Sequence, residues 1–330
     1  MPENLIPPAE VQLAIVIPAY KAAYLRECLQ AIAVQTDRRF HVYLGDDCSP
    51  EPLADIVREF SAQLPITYHR FERNLGGKSL VQQWERCLNL TREPWIWLFS
   101  DDDFMDKNCV AAFYAELERT EADHDVYRFD TTWVDGRGQP RSQPESITVN
   151  HPVEETGAEF LLARMAGSRN STLQEIIFSR LAWKEVRGIP AFPLAWCSDD
   201  AFIAQLGSRR TIRTITTAKV YWRLSDINIS SNRTSATTRV KIRASDQFVR
   251  WVTRYFQPLS ATLRQEASQL SERWFLEFCR QECWYFISLP RSWELEKLAR
   301  AAWRRPFGWG FMRAQRLNWR YLKSKLPGRR

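Results

Sequence analysis

The chain has 330 residues, 45% of them hydrophobic, with 14 Trp, 7 Cys and a formal net charge of +7. That length holds one large domain with an appendage or two modest domains, and the apolar share excludes a disordered chain. The N-terminal MPENLIPPAEVQ has no basic start and no apolar core, and no apolar run reaches the ~20 residues of a membrane helix, so neither a signal peptide nor a spanning segment is expected.

The cysteines lack CxxC pairing, and Cys279 and Cys283 have no neighbouring His. Reduced thiols in a cytoplasmic protein are expected, without a zinc site. The charge is unevenly placed. Residues 236–330 hold 20 Lys and Arg against 7 Asp and Glu, together with 7 of the 14 Trp, so the first 235 residues are net acidic. Two regions with different tasks are expected, 1–235 and 236–330.

In chain order, LAIVIP (13–18), FHVYLG (40–45), ITYHRF (66–71) and WIWLF (95–99) are short runs of strand length, the first and last wholly apolar. Strands of a parallel sheet covered on both faces look like this. Helical spacing fills the intervals at 22–35, 52–63 and 78–90. The alternation predicts βαβ units and a doubly wound sheet, whose ligands bind beyond the carboxyl ends of the strands. Those ends carry Ala19-Tyr20-Lys21, Asp46-Asp47, Glu72-Arg73-Asn74 and Ser100-Asp101-Asp102-Asp103.

Beyond 125 the pattern turns more antiparallel. Strands are predicted at 126–134 and 172–178, a turn at 135–138, a helix at 199–206, and a strand pair at 211–215 and 219–224. From 236 the spacing is helical, interrupted at Pro258, Pro290 and Pro306.

Three consecutive carboxylates after an apolar strand repel one another, and a divalent cation relieves that repulsion. Mg²⁺ or Mn²⁺ prefers such oxygens and keeps positions for diphosphate oxygens. The plain alternative is a solvated turn capping a helix near 107. Asp102-Asp103-Phe104-Met105-Asp106 also spells Asp-Asp-x-x-Asp, a metal motif that prenyl diphosphate enzymes carry inside a helix. Gly76-Gly77-Lys78-Ser79 suggests a phosphate loop, but Glu72 stands where such a loop needs its first Gly.

Six stretches in order resemble family 2 glycosyltransferases of the GT-A fold. They are IVIPAY (15–20), LGDDCSP (44–50), RNLGGKSLVQQW (73–84), WIWLFSDDDF (95–104), LAWCSDDAF (194–202) and YWRLSDINIS (221–230). The resemblance covers about residues 12–230. It implies an α/β, Rossmann-like, doubly wound mixed sheet with a helical C-terminal extension. Nucleotide-sugar binding would fall in 12–134, with the acceptor side and catalytic base in 135–235. Many members have Asp-x-Asp-Asp after strand four, where this chain has Ser-Asp-Asp-Asp. The metal ligands therefore stay open among Asp101, Asp103 and Asp102.

By the same resemblance, Asp47 accepts a hydrogen bond from the base or ribose of the donor, beside a wall of Pro18, Ala19 and Tyr20. Gly76 and Gly77 let backbone approach the nucleotide, and Arg73 or Lys78 meets the donor. Asp101 and Asp102 adjoin the diphosphate, and Arg223, with Ser225, reaches the diphosphate or the acceptor. One of Asp200 and Asp199, with a slight preference for Asp200, is the base. The implied reaction is inverting transfer from a nucleotide-diphospho-sugar, uridine-linked by expectation, with Mn²⁺ or Mg²⁺ as cofactor. The acceptor is a glycan or lipid-linked hydroxyl in cell-surface polysaccharide, lipopolysaccharide or capsule synthesis. A non-catalytic adaptor that kept the fold is the alternative.

Residues 291–330 carry 12 Lys and Arg against 2 Glu, with Trp293, Trp303, Trp309 and Trp319 among them. This suggests peripheral attachment to an anionic surface at the inner face of the plasma membrane, or a helical subdomain packing on the core. No recognition motif for nucleic acid accompanies the charge.

Overall fold

The computed structural model of the chain describes residues 12–142, 151–225, 228, 229, 231, 232 and 234–284. Two compact units meet in sequence at Ser231 and Asn232. In the first, strands β1 (Leu13–Ala19), β2 (Phe40–Asp46), β3 (Ile66–Arg70) and β4 (Trp95–Leu98) alternate with helices α1 (Leu25–Ala33), α2 (Leu53–Phe60) and α3 (Leu80–Leu88). β1 lies between β2 and β4 and runs parallel to both, and β3 continues the parallel set beyond β2. Leu13, Ile15 and Ile17 on one face of β1 and Ala14 and Val16 on the other are all buried, so both faces are covered. This is why the strand reads as an unbroken apolar run.

The helices bury the stripes that their spacing requires: Leu25, Cys28, Leu29 and Ile32 on α1, and Leu53, Ile56, Val57 and Phe60 on α2. Each helix is a few residues shorter than its apolar pattern, with residues lost at both ends.

The chain continues through β5 (Phe104–Met105), α4 (Cys109–Arg119), β6 (Val126–Val134), β7 (Glu154–Glu155), α5 (Gly157–Met165), β8 (Ile176–Ser179), α6 (Arg180–Glu185), α7 (Ser198–Leu206) and β9 (Ile212–Arg223). The nine-stranded sheet has the order β3-β2-β1-β4-β8-β6-β9-β5, with β7 also on β9. β8 is antiparallel to β4 and β6, and β5 and β7 are antiparallel to β9. β6 and β9 are parallel. The sheet is therefore mixed, as the change of pattern after 125 implied.

Two expectations are corrected. The strand pair at 211–215 and 219–224 is the single strand β9, which stays on β6 through a register shift opposite Phe129 and Asp130. The strand expected at 172–178 begins only at Ile176, because Leu173–Glu175 forms a 3₁₀ turn with a Thr172–Glu175 capping box. Helix α5 went unread, although Thr156 and Glu159 form a capping box that marks its start.

The abundance of tryptophan has a partial explanation in the core. Trp97 is fully buried, stacks on Phe129 at 5.2 Å and donates its N–H to the Gln174 carbonyl at 2.7 Å. Trp95 meets Phe113 and Tyr127 edge-on.

In the second unit, α8 (Ser235–Phe256) and α9 (Ala261–Trp284) are separated at the break that contains Pro258. Ile242, Phe275 and Cys279 form its core cluster, Phe248 meets Trp274 edge-on, and the Thr238 hydroxyl donates to Glu282 at 3.1 Å. Cys28, Cys48, Cys87, Cys109, Cys197 and Cys279 are free thiols. Among the described residues no helix is long and apolar enough to cross a membrane. The readings made on 291–330, and those at Pro290 and Pro306, lie outside the described residues.

Candidate active site

Because β1, β2 and β4 are parallel, their carboxyl ends open on one edge. The acidic turn leaves β4 there and is tied to its neighbours by two of its three carboxylates. Asp101 Oδ2 accepts the backbone N–H groups of Tyr20 at 3.0 Å and Lys21 at 3.2 Å, which joins the turn to the end of β1. Asp103 Oδ1 accepts the backbone N–H of Arg223 at 2.7 Å, and its Oδ2 is buried without a partner. Asp102 is half-buried between them.

Burial raises all three carboxyls above the ordinary range. Asp102 is pushed up to about 7, by burial first and by the Asp101 charge second. Asp101 is raised by burial, and Asp103 is raised strongly by burial and by Asp102. A cluster in this state gains from a cation.

The chemistry of the donors fits a divalent ion. Asp103 Oδ2 is a buried carboxyl oxygen without a hydrogen-bond partner, and Asp102 is the half-buried carboxyl beside it; a bound cation would favour the ionised form of both. Among the described residues no three His, Cys, Asp or Glu side chains form a ready-made cage. A one- or two-carboxylate site completed by diphosphate oxygens needs no such cage.

Arg223 is fully buried beneath this turn. Its Nε donates to the Asp102 carbonyl at 2.8 Å, Nη1 to the Gly136 carbonyl at 2.9 Å, and Nη2 to Glu27. The guanidinium also lies over the rings of Tyr24 at 4.3 Å and Phe104 at 5.4 Å. The side chain thus joins α1, the acidic turn and the 135–138 turn, and all three of its nitrogens are engaged within the protein.

The Asp-Asp-x-x-Asp reading is corrected. Residues 104–105 form β5 on β9, and Asp106 accepts the Lys219 N–H and the Tyr221 hydroxyl, each at 2.9 Å. The motif is not in a helix, so its carboxylates do not share the helical face that a prenyl diphosphate enzyme requires.

At the end of β2 the two acids have separate tasks. Asp46 Oδ1 accepts the Ser49 N–H at 2.7 Å, and Oδ2 takes the Tyr68 hydroxyl and Arg70. Asp47 accepts the Asn74 amide at 2.9 Å, the Leu75 N–H at 2.7 Å, the Gly76 N–H at 2.8 Å and Arg86. A carboxylate has about four lone-pair positions, so Asp47 is filled by the loop that follows β3 together with Arg86 of α3.

This gives Gly76 a reason different from the expected approach to nucleotide. A Cβ there would stand 2.7 Å from Asp47 Oδ2, and one at Gly77 would stand 2.5 Å from Asn74 Oδ1. Gly76→Ala is expected to destabilise the protein by about 1–3 kcal/mol through this overlap, read as a lower urea midpoint. Arg73 and Lys78 are exposed beside the loop, and Tyr20 is exposed at the carboxyl end of β1, next to the half-buried Pro18 and the buried Ala19. Lys78 precedes α3, whose cap is Ser79.

The second acidic pair opens α7, where carboxylates oppose the helix dipole favourably. Three non-glycine residues just before it, Leu194, Ala195 and Cys197, adopt left-handed backbone conformations. Such strain persists where surrounding structure enforces it, often at functional sites. Asp200 is buried and held at both oxygens by Arg164 of α5, at 2.7 and 3.2 Å. Asp199 is only half-buried and is pushed up to about 8, by burial and then by the Asp200 charge.

Arg164 and Arg86 were not singled out in the sequence. Their carboxylate partners lie 36 and 39 residues away, beyond the reach of any short motif.

Residues 14–175 match the profile of Glycosyl transferase family 2. The chain carries a family 2 glycosyltransferase domain. It is 25% identical over 151 residues to the poly(ribitol-phosphate) beta-N-acetylglucosaminyltransferase TarS of Staphylococcus aureus strain Mu50, covering 43% of this chain and 26% of that protein. The match to this curated relative thus spans only about a quarter of its length.

Among solved structures, S. aureus TarS 1-349 in complex with UDP-GlcNAc superposes with a TM-score of 0.55 at 18% identity, covering 82% of this chain and 81% of the other. The mannosyltransferase PcManGT of Pyrobaculum calidifontis, in complex with GDP-Man and Mn2+, gives 0.52 at 15% identity, over 93% and 85%. At these identities the likeness establishes the glycosyltransferase GT-A fold of the family 2 domain.

Proposed function

We propose that this protein transfers a sugar from a nucleotide-diphospho-sugar, uridine-linked, to a hydroxyl of a glycan or lipid-linked acceptor, with inversion at the anomeric carbon. The observation that carries the reading is the acidic turn at the carboxyl edge of the parallel strands, with Asp103 Oδ2 buried and unpartnered. Asp103 and Asp102 would hold a Mn²⁺ or Mg²⁺ ion. When bound, that ion neutralises charge on the diphosphate leaving group.

Asp101 pins the end of β1, so that Pro18, Ala19 and Tyr20 border the nucleoside position. Asp47 holds the 74–76 loop that forms the facing border, with Arg73 and Lys78 exposed next to it. Arg223 keeps the acidic turn in place from beneath. One carboxylate of the Asp199–Asp200 pair takes the acceptor proton as the glycosidic bond forms.

Inversion is tested by proton NMR of the first product formed from an α-linked donor. A β-linked product is expected. Retention of the α configuration would rule out a single displacement. Running uridine, guanosine and thymidine donors in the same assay decides the base.

A further inference from the structure

Two tryptophans meet near the carboxyl edge of the sheet, and neither has a part in the donor site. Trp133 of β6 and Trp222 of β9 are register partners on parallel strands, and their rings meet edge-on at 5.3 Å and 80°. Both are half-buried, while the residues that follow them, Val134 and Arg223, are fully buried. The indole N–H of the buried Trp97 donates to the Gln174 carbonyl, and that of Trp183 donates to Glu85. Among the described residues neither Trp133 nor Trp222 donates its N–H to the protein, and neither N–H is buried. An aromatic body and a polar handle left open together are the make-up of a binding surface.

The place of the pair points to its occupant. β8 opposes both β4 and β6, so β6 and β9 run in the direction of β4 and end on the same edge. In the sheet, β1 and β2 lie to one side of β4, and β6 and β9 lie to the other. The nucleoside border is at the ends of β1 and β2. The residue after Trp222 is Arg223, whose backbone N–H donates to Asp103 Oδ1 at 2.7 Å, and the N–H of Leu224 donates to the Val134 carbonyl at 2.8 Å. The tryptophans are therefore fastened beside the acidic turn, on the side away from the nucleoside. In a single displacement the acceptor oxygen approaches the anomeric carbon opposite the departing diphosphate, which is that same side.

We propose that Trp133 and Trp222 form a platform for the acceptor, and that the acceptor lays a sugar ring on it. This rests on the glycosyltransfer reading above and narrows the acceptor to a hydroxyl carried on a saccharide. A pyranose ring has a face of C–H groups and a rim of hydroxyls. The C–H face packs on the electron-rich face of an indole, and the rim supplies oxygens to the two open N–H donors. A hydrocarbon chain would cover the rings and leave both donors without acceptors, which weakens binding.

The test reads the two rings directly, in the full chain labelled with 5-fluorotryptophan. Trp133→Phe and Trp222→Phe assign the two fluorine resonances. The probes are the methyl glycosides of glucose, galactose and N-acetylglucosamine, their β-linked disaccharides, the open-chain polyol sorbitol, and farnesyl phosphate. Both resonances are expected to shift with at least one glycoside in the millimolar range, and with neither sorbitol nor farnesyl phosphate. Trp133→Ala is expected to raise the midpoint read at Trp222 roughly tenfold. Trp133→Phe, which keeps a ring face, should raise it less. The wild-type titration stands alone if the Ala variant fails to fold.

The proposal is overturned if no glycoside moves either resonance, or if sorbitol or farnesyl phosphate moves them as far as the glycosides do. The glycoside that binds should also speed nucleoside diphosphate release from the donor, with the same midpoint. Release from a donor without any glycoside response removes the platform and leaves the transferase. A glycoside response without release from any donor leaves a saccharide-binding surface and counts against the transferase reading.

Discussion

Asp103→Asn is expected to lower metal-dependent sugar transfer by roughly 10²–10³-fold, the usual effect of removing one electrostatic stabiliser of a developing charge. The substitution keeps the size of the side chain and an oxygen able to accept the Arg223 backbone N–H, which donates to Asp103 Oδ1 at 2.7 Å. What it removes is the charge on the buried, unpartnered oxygen. Folding should therefore survive better than turnover. Raising the Mn²⁺ concentration should recover part of the lost rate if the ion is held less tightly. Steady-state rates across a Mn²⁺ series, with thermal unfolding as the control, separate these effects.

Arg223→Met is expected to have the largest effect on stability. The guanidinium bonds the carbonyls of Asp102 and Gly136 and the carboxylate of Glu27, and lies over the ring of Tyr24 at 4.3 Å. Removing it takes the donors from the Asp102 and Gly136 carbonyls and a compensating charge from beside three crowded carboxylates, while the exposed Glu27 turns to water. Breaking a buried ionic cluster from one side costs about 3–5 kcal/mol. In a domain of this size that lowers Tm by roughly 10 °C. Arg223→Lys should recover little, because an ammonium cannot reach acceptors on three separate segments with the fixed fork of a guanidinium. Calorimetric Tm values for wild type, Arg223→Met and Arg223→Lys check this. A Tm for Arg223→Met within a degree or two of wild type would mean that the acidic turn does not depend on the residue.

β1 and β4 were legible because a strand buried on both faces must be apolar throughout, whereas β2 and β3, which are only partly covered, were legible from their place in the strand–helix alternation. The acidic turn was legible because three adjacent carboxylates have no place inside an apolar core. β9 was misread as two strands because Thr216 and Thr217 are exposed where the ladder shifts register, so the apolar alternation breaks although the chain runs on. Helix α5 was missed because its apolar residues sit in a short segment without a long stripe, and only its capping box announced it.

Gly76 and Gly77 were noticed for the right feature, close approach, but the neighbours are Asp47 and Asn74 of the same domain. Arg223 was read as a group reaching toward substrate, whereas its three nitrogens are engaged beneath the acidic turn. Arg164 left no trace, since a single arginine in a helical run becomes informative only when the fold brings Asp200 to it. In each case the local pattern was visible and the long-range partner was not.

The central claim is that the acidic turn serves metal-dependent use of a nucleotide-diphospho-sugar. The most direct measurement is release of nucleoside diphosphate from a panel of nucleotide sugars by the full chain, with Mn²⁺ or Mg²⁺, with chelator, and with Asp103→Asn. The account predicts release from one donor that requires the metal and is lost in the variant. No release from any donor, with no metal-dependent binding of a nucleoside diphosphate by calorimetry, would contradict it and leave a non-catalytic protein built on the glycosyltransferase fold.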